Sequence, residues 1–209
     1  MKHLAWLFCV LCASCAVMAG PVYRAGQSPT KGISLLHGEL SGGYLFSSQK
    51  MQLVTQEDAT AALKGWNVRA LWAPLSWLAV GAEMTRFNDE NLKEYFVSSY
   101  KTNRVGALVK FTFTPNTSPR VYAIAGYGHT THQLNYDHSS IITRTWPGHD
   151  KKNTTYWMAG LGLEVDVWRG LFVGGEGNIV FHSSKKLARY YKMDASVERT
   201  IQVRVGVRF

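Results

Sequence analysis

Along most of the chain apolar and polar side chains alternate with a period of two, the mark of strands whose two faces meet different surroundings. The clearest run is Thr200 to Phe209. There Ile201, Val203, Val205, Val207 and Phe209 share one face, and Thr200, Gln202, Arg204, Gly206 and Arg208 share the other. Six further runs behave the same way. They are residues 34–46 (Leu40, Tyr44 and Phe46 against Glu39 and Ser41), 62–73 (Trp66, Val68 and Trp72 against Asn67 and Arg69) and 77–87 (Leu78, Val80 and Met84 against Glu83 and Thr85). Residues 102–114, 153–167 and 171–182 complete them, setting Val105, Phe111, Leu161, Val165 and Ile179 against Arg104, Lys110, Glu164, Asp166, Glu176 and His182. Residues 120–132 also read as a strand, but either Tyr122, Ile124, Gly126 and Gly128 or Val121, Ala123, Ala125 and Tyr127 could face outward.

Eight strands result, an all-β pattern, and their connections are predicted to alternate long and short. Residues 47–60, 88–100, 133–152 and 183–194 are the long ones, and turns at Pro74 to Ser76, Pro115 to Pro119 and Trp168 to Gly170 are the short ones. The charged set Glu39, Arg69, Glu83, Arg104, Lys110, Glu164, Asp166, Glu176, Arg204 and Arg208 falls on the polar faces, five acids with five bases. A soluble eight-stranded barrel would turn its apolar residues inward and its polar ones out. Here the strand ends carry aromatics and the charges need shelter, so the polarity is inverted. The pattern predicts an antiparallel, up-and-down transmembrane barrel with lipid outside, short periplasmic turns and long extracellular loops. Trp72, Trp77, Tyr122, Trp168 and Phe209 are expected to form one aromatic belt, and Tyr44, Phe46, Trp66, Trp157 and Phe181 the other.

The amino-terminal residues fit an exported protein. Met1 to His3 is basic, residues 4–17 are apolar, and Val17-Met18-Ala19 suits signal peptidase, so residues 1–19 are read as a cleaved signal peptide. Residues 20–33 are a periplasmic lead-in and residues 34–209 the barrel. All three cysteines, Cys9, Cys12 and Cys15, lie in the signal, which excludes disulfides and thiolate chemistry from the mature chain. A lipoprotein signal at Cys15 is disfavoured, because Cys12-Ala13-Ser14 lacks the leucine such sites carry. Removing the signal leaves 190 residues with a net charge of +8. Behind an export signal that excess points to lipid headgroups or polysaccharide phosphates, not to nucleic acid.

Val205-Gly206-Val207-Arg208-Phe209, together with glycine-rich aromatic strands such as Ala123-Ile124-Ala125-Gly126-Tyr127-Gly128, resembles the small eight-stranded outer-membrane proteins of the OmpA/OmpX type. The resemblance implies residence in the outer membrane of a Gram-negative bacterium. It implies a terminal strand whose Val205, Val207 and Phe209 are read by the barrel assembly machinery. It also implies contact with outer-membrane lipid and lipopolysaccharide, and a structural, adhesin-like or porin-like role without a cofactor.

Three sites compete for attention beside that role. His182, Ser184 and Glu198 loosely resemble the His, Ser and carboxylate of the lipid A 3-O-deacylase barrels, with Ser184 as nucleophile, His182 as base and Glu198 as orienter. Against an enzyme, Lys185 stands where that family has Asn, and the alternation turns His182 and Glu198 toward the lumen. Lys185, Lys186, Arg189 and Lys192 make a basic loop suited to an extracellular polyanion or host ligand. His129, His132, His138 and His149 lie in or beside the third long loop without metal-ligand spacing, and are expected to be solvated, with no metal.

Overall fold

The computed structural model describes residues 37–53, 58–89, 97–136, 149–184, 191–193 and 197–209. The signal and lead-in, along with Lys185, Lys186, Arg189 and His138, lie outside the described residues. Every described element is a strand: β1 (Gly38–Leu53), β2 (Asp58–Leu75), β3 (Leu78–Asp89), β4 (Val97–Thr112), β5 (Arg120–Tyr136), β6 (His149–Trp168), β7 (Leu171–His182), β8 (Tyr191–Met193) and β9 (Val197–Arg208).

Eight of these close into a barrel. Each strand pairs antiparallel with the next from β1 through β7, β7 pairs with β9, and β9 pairs with β1, so no edge is left open. The three-residue β8 extends the β9 side by pairing with Met51 to Leu53 at the far end of β1. Closure satisfies every ladder from within the sheet, the condition that hydrocarbon imposes on backbone.

The expected faces are the observed ones. Val105, Leu161, Ile201 and Val203 are among the most exposed side chains, whereas Glu39, Arg69, Glu83, Arg104, Lys110, Glu164, Glu176 and Arg204 are buried inside. The open question on β5 is decided by its register. Tyr122, Ile124, Gly126, Gly128, Thr130 and His132 turn inward, and Val121, Ala125, Tyr127 and His129 turn outward. Tyr122 therefore leaves the aromatic belt assigned to it and becomes a lumen residue. It fits there because Gly162, its partner on β6, has no side chain: a Cβ at that position would collide with the Tyr122 ring. Trp72, Trp77, Trp168 and Phe209 remain exposed at one end, and Tyr44, Phe46 and Trp157 at the other. Trp157 stacks on Phe181 with centroids 4.0 Å apart.

The connections differ from expectation. β1 runs on to Leu53 and β2 already begins at Asp58, so most of the predicted first long loop is strand. β4 starts at Val97, β5 continues to Tyr136 and β6 starts at His149, so strand also takes up part of the second and third loops. Beyond the belt the outward residues are polar, and alternation no longer marks where a strand ends; backbone pairing alone continues it. At the opposite end two connections are two residues long, Ser76-Trp77 and Arg169-Gly170, while Phe113 to Pro119 takes seven. Arg169 and Gly170 both have positive φ, 34° and 85°, as a type I′ hairpin turn requires.

Candidate functional site

The interior is the chemically distinctive part of the molecule. An eight-stranded barrel is only wide enough for its own side chains, and here those side chains are ionic. In the half nearer the two-residue turns, the charges form a continuous lattice. Arg69 bridges Glu83 on β3, donating from Nε at 2.9 Å, and Glu176 on β7, donating from Nη1 at 2.8 Å. Arg204 joins Glu176 at 2.9 Å to Glu39 at 3.2 Å, and also donates to the Ser41 hydroxyl. Lys110 Nζ donates to Glu39 and to Glu164, each at 2.7 Å. Arg208 pairs with Glu164 and Asp166, and Arg120 joins Asp166 at 2.8 Å.

Neutral groups complete the lattice. Tyr122 Oη donates to Glu176 at 2.7 Å, Asn178 Nδ2 donates to the same carboxylate at 2.8 Å, and Gln202 does so as well. Asn67 Nδ2 donates to Glu83 at 3.0 Å and to Gln202 at 2.7 Å. Lys110 also sits 4.5 Å from the Tyr122 ring centre, a cation–π contact.

The half nearer the long connections is built differently. Glu198 accepts from Ser47 Oγ at 2.6 Å and meets His182 Nε2 at 3.0 Å, with Arg104 3.5 Å away. Tyr100 Oη is 2.8 Å from His132 Nδ1 and donates to Gln49 at 3.2 Å, while His132 Nε2 lies 3.2 Å from Thr154 Oγ1. Arg104 lies over the rings of Phe87 and Tyr156, at 4.8 Å and 5.7 Å.

All ten charges assigned to the lumen from sequence are thus brought together. Glu198 and Arg120 join them, giving six acids and six bases among the described residues. Arg120 escaped notice because it opens its strand beside a turn. Tyr122, Asn67 and Gln202 escaped because a neutral polar residue on an alternating face carries no sign of its partner. His132 corrects the expectation of solvated loop histidines: it is fully buried in the lumen on β5, whereas His129 and His149 are exposed. Among the described residues, no three His, Cys, Asp or Glu side chains gather as a metal site would require.

The His182–Glu198 contact is real, but its surroundings do not suit a hydrolase. With Nε2 occupied by Glu198, a serine nucleophile would have to meet Nδ1, and that buried atom has no hydrogen-bond partner. His182 also faces the axis, away from any acyl chain outside. The alternative of a deacylase built on His182, Ser184 and Glu198 is not favoured.

Residues 11–209 match the outer membrane protein beta-barrel domain family. The chain belongs to that family. Membership places it in the outer membrane of Gram-negative bacteria, as an integral β-barrel. Among solved structures, Neisserial surface protein A aligns with a TM-score of 0.57 at 12% identity, covering 82% of this chain and 97% of its own. Ail, the attachment invasion locus protein of Yersinia pestis, aligns at 0.52 with 15% identity, covering 86% of this chain and 100% of its own. Ail in complex with the heparin analogue sucrose octasulfate aligns at 0.51 with 16% identity, covering 83% and 98%. Comparison with curated protein sequences gives no match. At these identities the neighbours share the barrel, and the ion lattice of this outer-membrane barrel has to be argued from its own residues.

Proposed function

We propose that this outer-membrane barrel is a closed, non-conducting and non-enzymatic protein whose role is structural and interactive, carried by the surface at its long-connection end. One observation carries the reading: the lumen is crossed by a lattice of paired charges from Arg208 and Asp166 near one mouth to Arg69 and Glu83 farther in. Buried, paired ions do not move aside readily, because separating them leaves a buried charge without a partner. The expected result in planar bilayers is no stable open-channel step, and large, long-lived conductance steps would overturn the reading.

The chain is exported by a signal peptide cleaved after Ala19, and the carboxy-terminal Val205, Val207 and Phe209 guide its assembly. Val205 and Phe209 are exposed on the lipid-facing side, where an assembly factor could reach them. With an even number of barrel strands both ends of the barrel lie on one side, taken in this reading as periplasmic, with the long connections outside. There Lys185, Lys186, Arg189 and Lys192 offer clustered cations to a sulfated or phosphorylated polymer. The Ail barrel in complex with a heparin analogue gives the idea a precedent in fold, and the charge of the loop supports it here.

A further inference from the structure

All six lumen acids have basic partners inside, so the excess positive charge of the chain must sit elsewhere. Part of it is gathered on the outer wall. Lys64 on β2, Arg86 on β3 and Lys101 on β4 all turn away from the lumen, and none makes an ion pair among the described residues. Their register makes them neighbours. Asn88 on β3 is directly opposite Lys64 on one side and Lys101 on the other. Arg86 is opposite Trp66 and Asn103, which places it diagonal to both lysines. Diagonal positions lie about 7–8 Å apart, within joint reach of long side chains around one anion.

The height of this cluster is as telling as its charge. Arg86 pairs with Trp66, and Lys64 with the exposed Phe46, so the cations stand at the upper edge of the aromatic belt. That is the level of lipid phosphates. The outward positions nearest the belt on other strands are neutral: Ser48 on β1, Thr131 on β5, Thr155 on β6 and Ser183 after β7. Lys151, higher on β6 and across Gln133 from Lys101, is a further exposed cation flanking the cluster. Arg199 on β9 is a single cation, opposite Ser48 and Ile179. Three neighbouring cations repel one another, and an anionic partner with more than one phosphate relieves that repulsion better than a singly charged headgroup.

We propose that Lys64, Arg86 and Lys101 form a cradle on the outer wall of the barrel for the phosphates of lipopolysaccharide. The inference rests on the reading above that the long-connection end faces the outer leaflet.

The test uses the mature barrel refolded in lipopolysaccharide-free detergent, with folding checked by heat-modifiable gel migration. Native mass spectrometry then measures retention of bis-phosphorylated lipid A and of the same lipid after chemical dephosphorylation. Wild type retains the phosphorylated lipid, the triple variant Lys64→Glu/Arg86→Glu/Lys101→Glu retains it at least about tenfold less, and dephosphorylated lipid is held as poorly by both. Arg199→Glu retains it as wild type does. Equal retention by the folded triple variant, or equal retention of both lipids by wild type, overturns the cradle. Should the triple reversal not fold, Lys64→Gln/Lys101→Gln is judged by the same criterion, with about a threefold loss expected. Surface labelling of a tag inserted within residues 137–148 in whole cells tests the orientation separately. An inaccessible tag defeats the orientation, whereas an accessible tag with unchanged lipid retention defeats only the cradle.

Discussion

The two halves of the lumen solve the same problem, burying polar groups inside a narrow cylinder, to different degrees. Near the two-residue turns, Glu176 alone is bonded to Arg69, Arg204, Tyr122, Asn178 and Gln202. Glu39 and Glu164 each meet two or more cations. Near the long connections, Glu198 is the only buried acid among the described residues, held by Arg104 at 3.5 Å. Among the described residues, buried polar atoms without a hydrogen-bond partner occur in both halves: Asn67 Oδ1, Asn178 Oδ1 and Arg204 Nε in the lattice, and Thr102 Oγ1, Thr130 Oγ1, Arg104 Nη1 and His182 Nδ1 at the other end. The first half is dense in ion pairs, and the second is polar with a single buried acid. Ion pairing is therefore concentrated where the lattice closes the barrel, away from the end proposed to meet other molecules.

The largest effect should come from Arg69→Met. The substitution keeps an apolar stem but leaves Glu83 and Glu176 facing each other without the cation that joins them. Breaking a buried pair costs about 3–5 kcal/mol when one charge is stranded. Urea titration of the folded barrel in detergent, followed by tryptophan emission, should show a loss of that size. A change below about 1 kcal/mol would mean that the lattice is not the stabilising half.

A smaller effect is expected from Glu198→Gln at the other end. The amide keeps an acceptor for Ser47, and Arg104 keeps its place over Phe87 and Tyr156. The loss should be about 1–3 kcal/mol, the range for a hydrogen bond to a charged group. If Glu198→Gln proves as damaging as Arg69→Met in the same titration, the contrast between the halves disappears.

How much of this was legible in the sequence follows from where lipid imposes a pattern. Between the belts, side chains on one face meet hydrocarbon and on the other meet charge, so Val203 against Arg204 or Val105 against Arg104 reveals its facing at once. β5 resists because both faces are small or aromatic: Tyr122 and Tyr127 are equally plausible belt residues until Gly162 is seen to make room for the first. Above the upper belt the alternation ends, and Ser47 to Lys50 on β1 are polar on both sides, so the continuation of the strand to Leu53 is not marked by an apolar face meeting lipid. The charged residues could be assigned to the lumen, but their partners could not. Arg204 and Glu39 are 165 positions apart and meet only because the last strand closes on the first. His132, the last residue of the predicted fifth strand, was expected in solvent because the facing of that strand was open and its lumen partners Tyr100 and Thr154 lie on other strands.

The smallest predicted effect probes the boundary between the two halves, at Arg104. Thr130 is fully buried at the level of Arg104, its partner in the β4–β5 ladder, and its hydroxyl has no hydrogen bond to lose. Thr130→Val replaces that hydroxyl with a methyl of nearly the same shape. An unpaired buried hydroxyl contributes nothing favourable and carries its desolvation cost, so the variant should match wild type within about 0.5 kcal/mol or exceed it slightly. Thr85→Val on β3 is the matched control, because Thr85 is the other ladder partner of Arg104 and its hydroxyl donates to Glu83 at 3.2 Å, so its loss should cost about 1 kcal/mol. Paired urea titrations of the two variants compare a bonded with an unbonded hydroxyl on either side of Arg104, with one methyl-for-hydroxyl exchange each. If Thr130→Val costs as much as Thr85→Val, the Thr130 hydroxyl is bonded in solution, and the carboxylate–hydroxyl network reaches past Arg104 to β5.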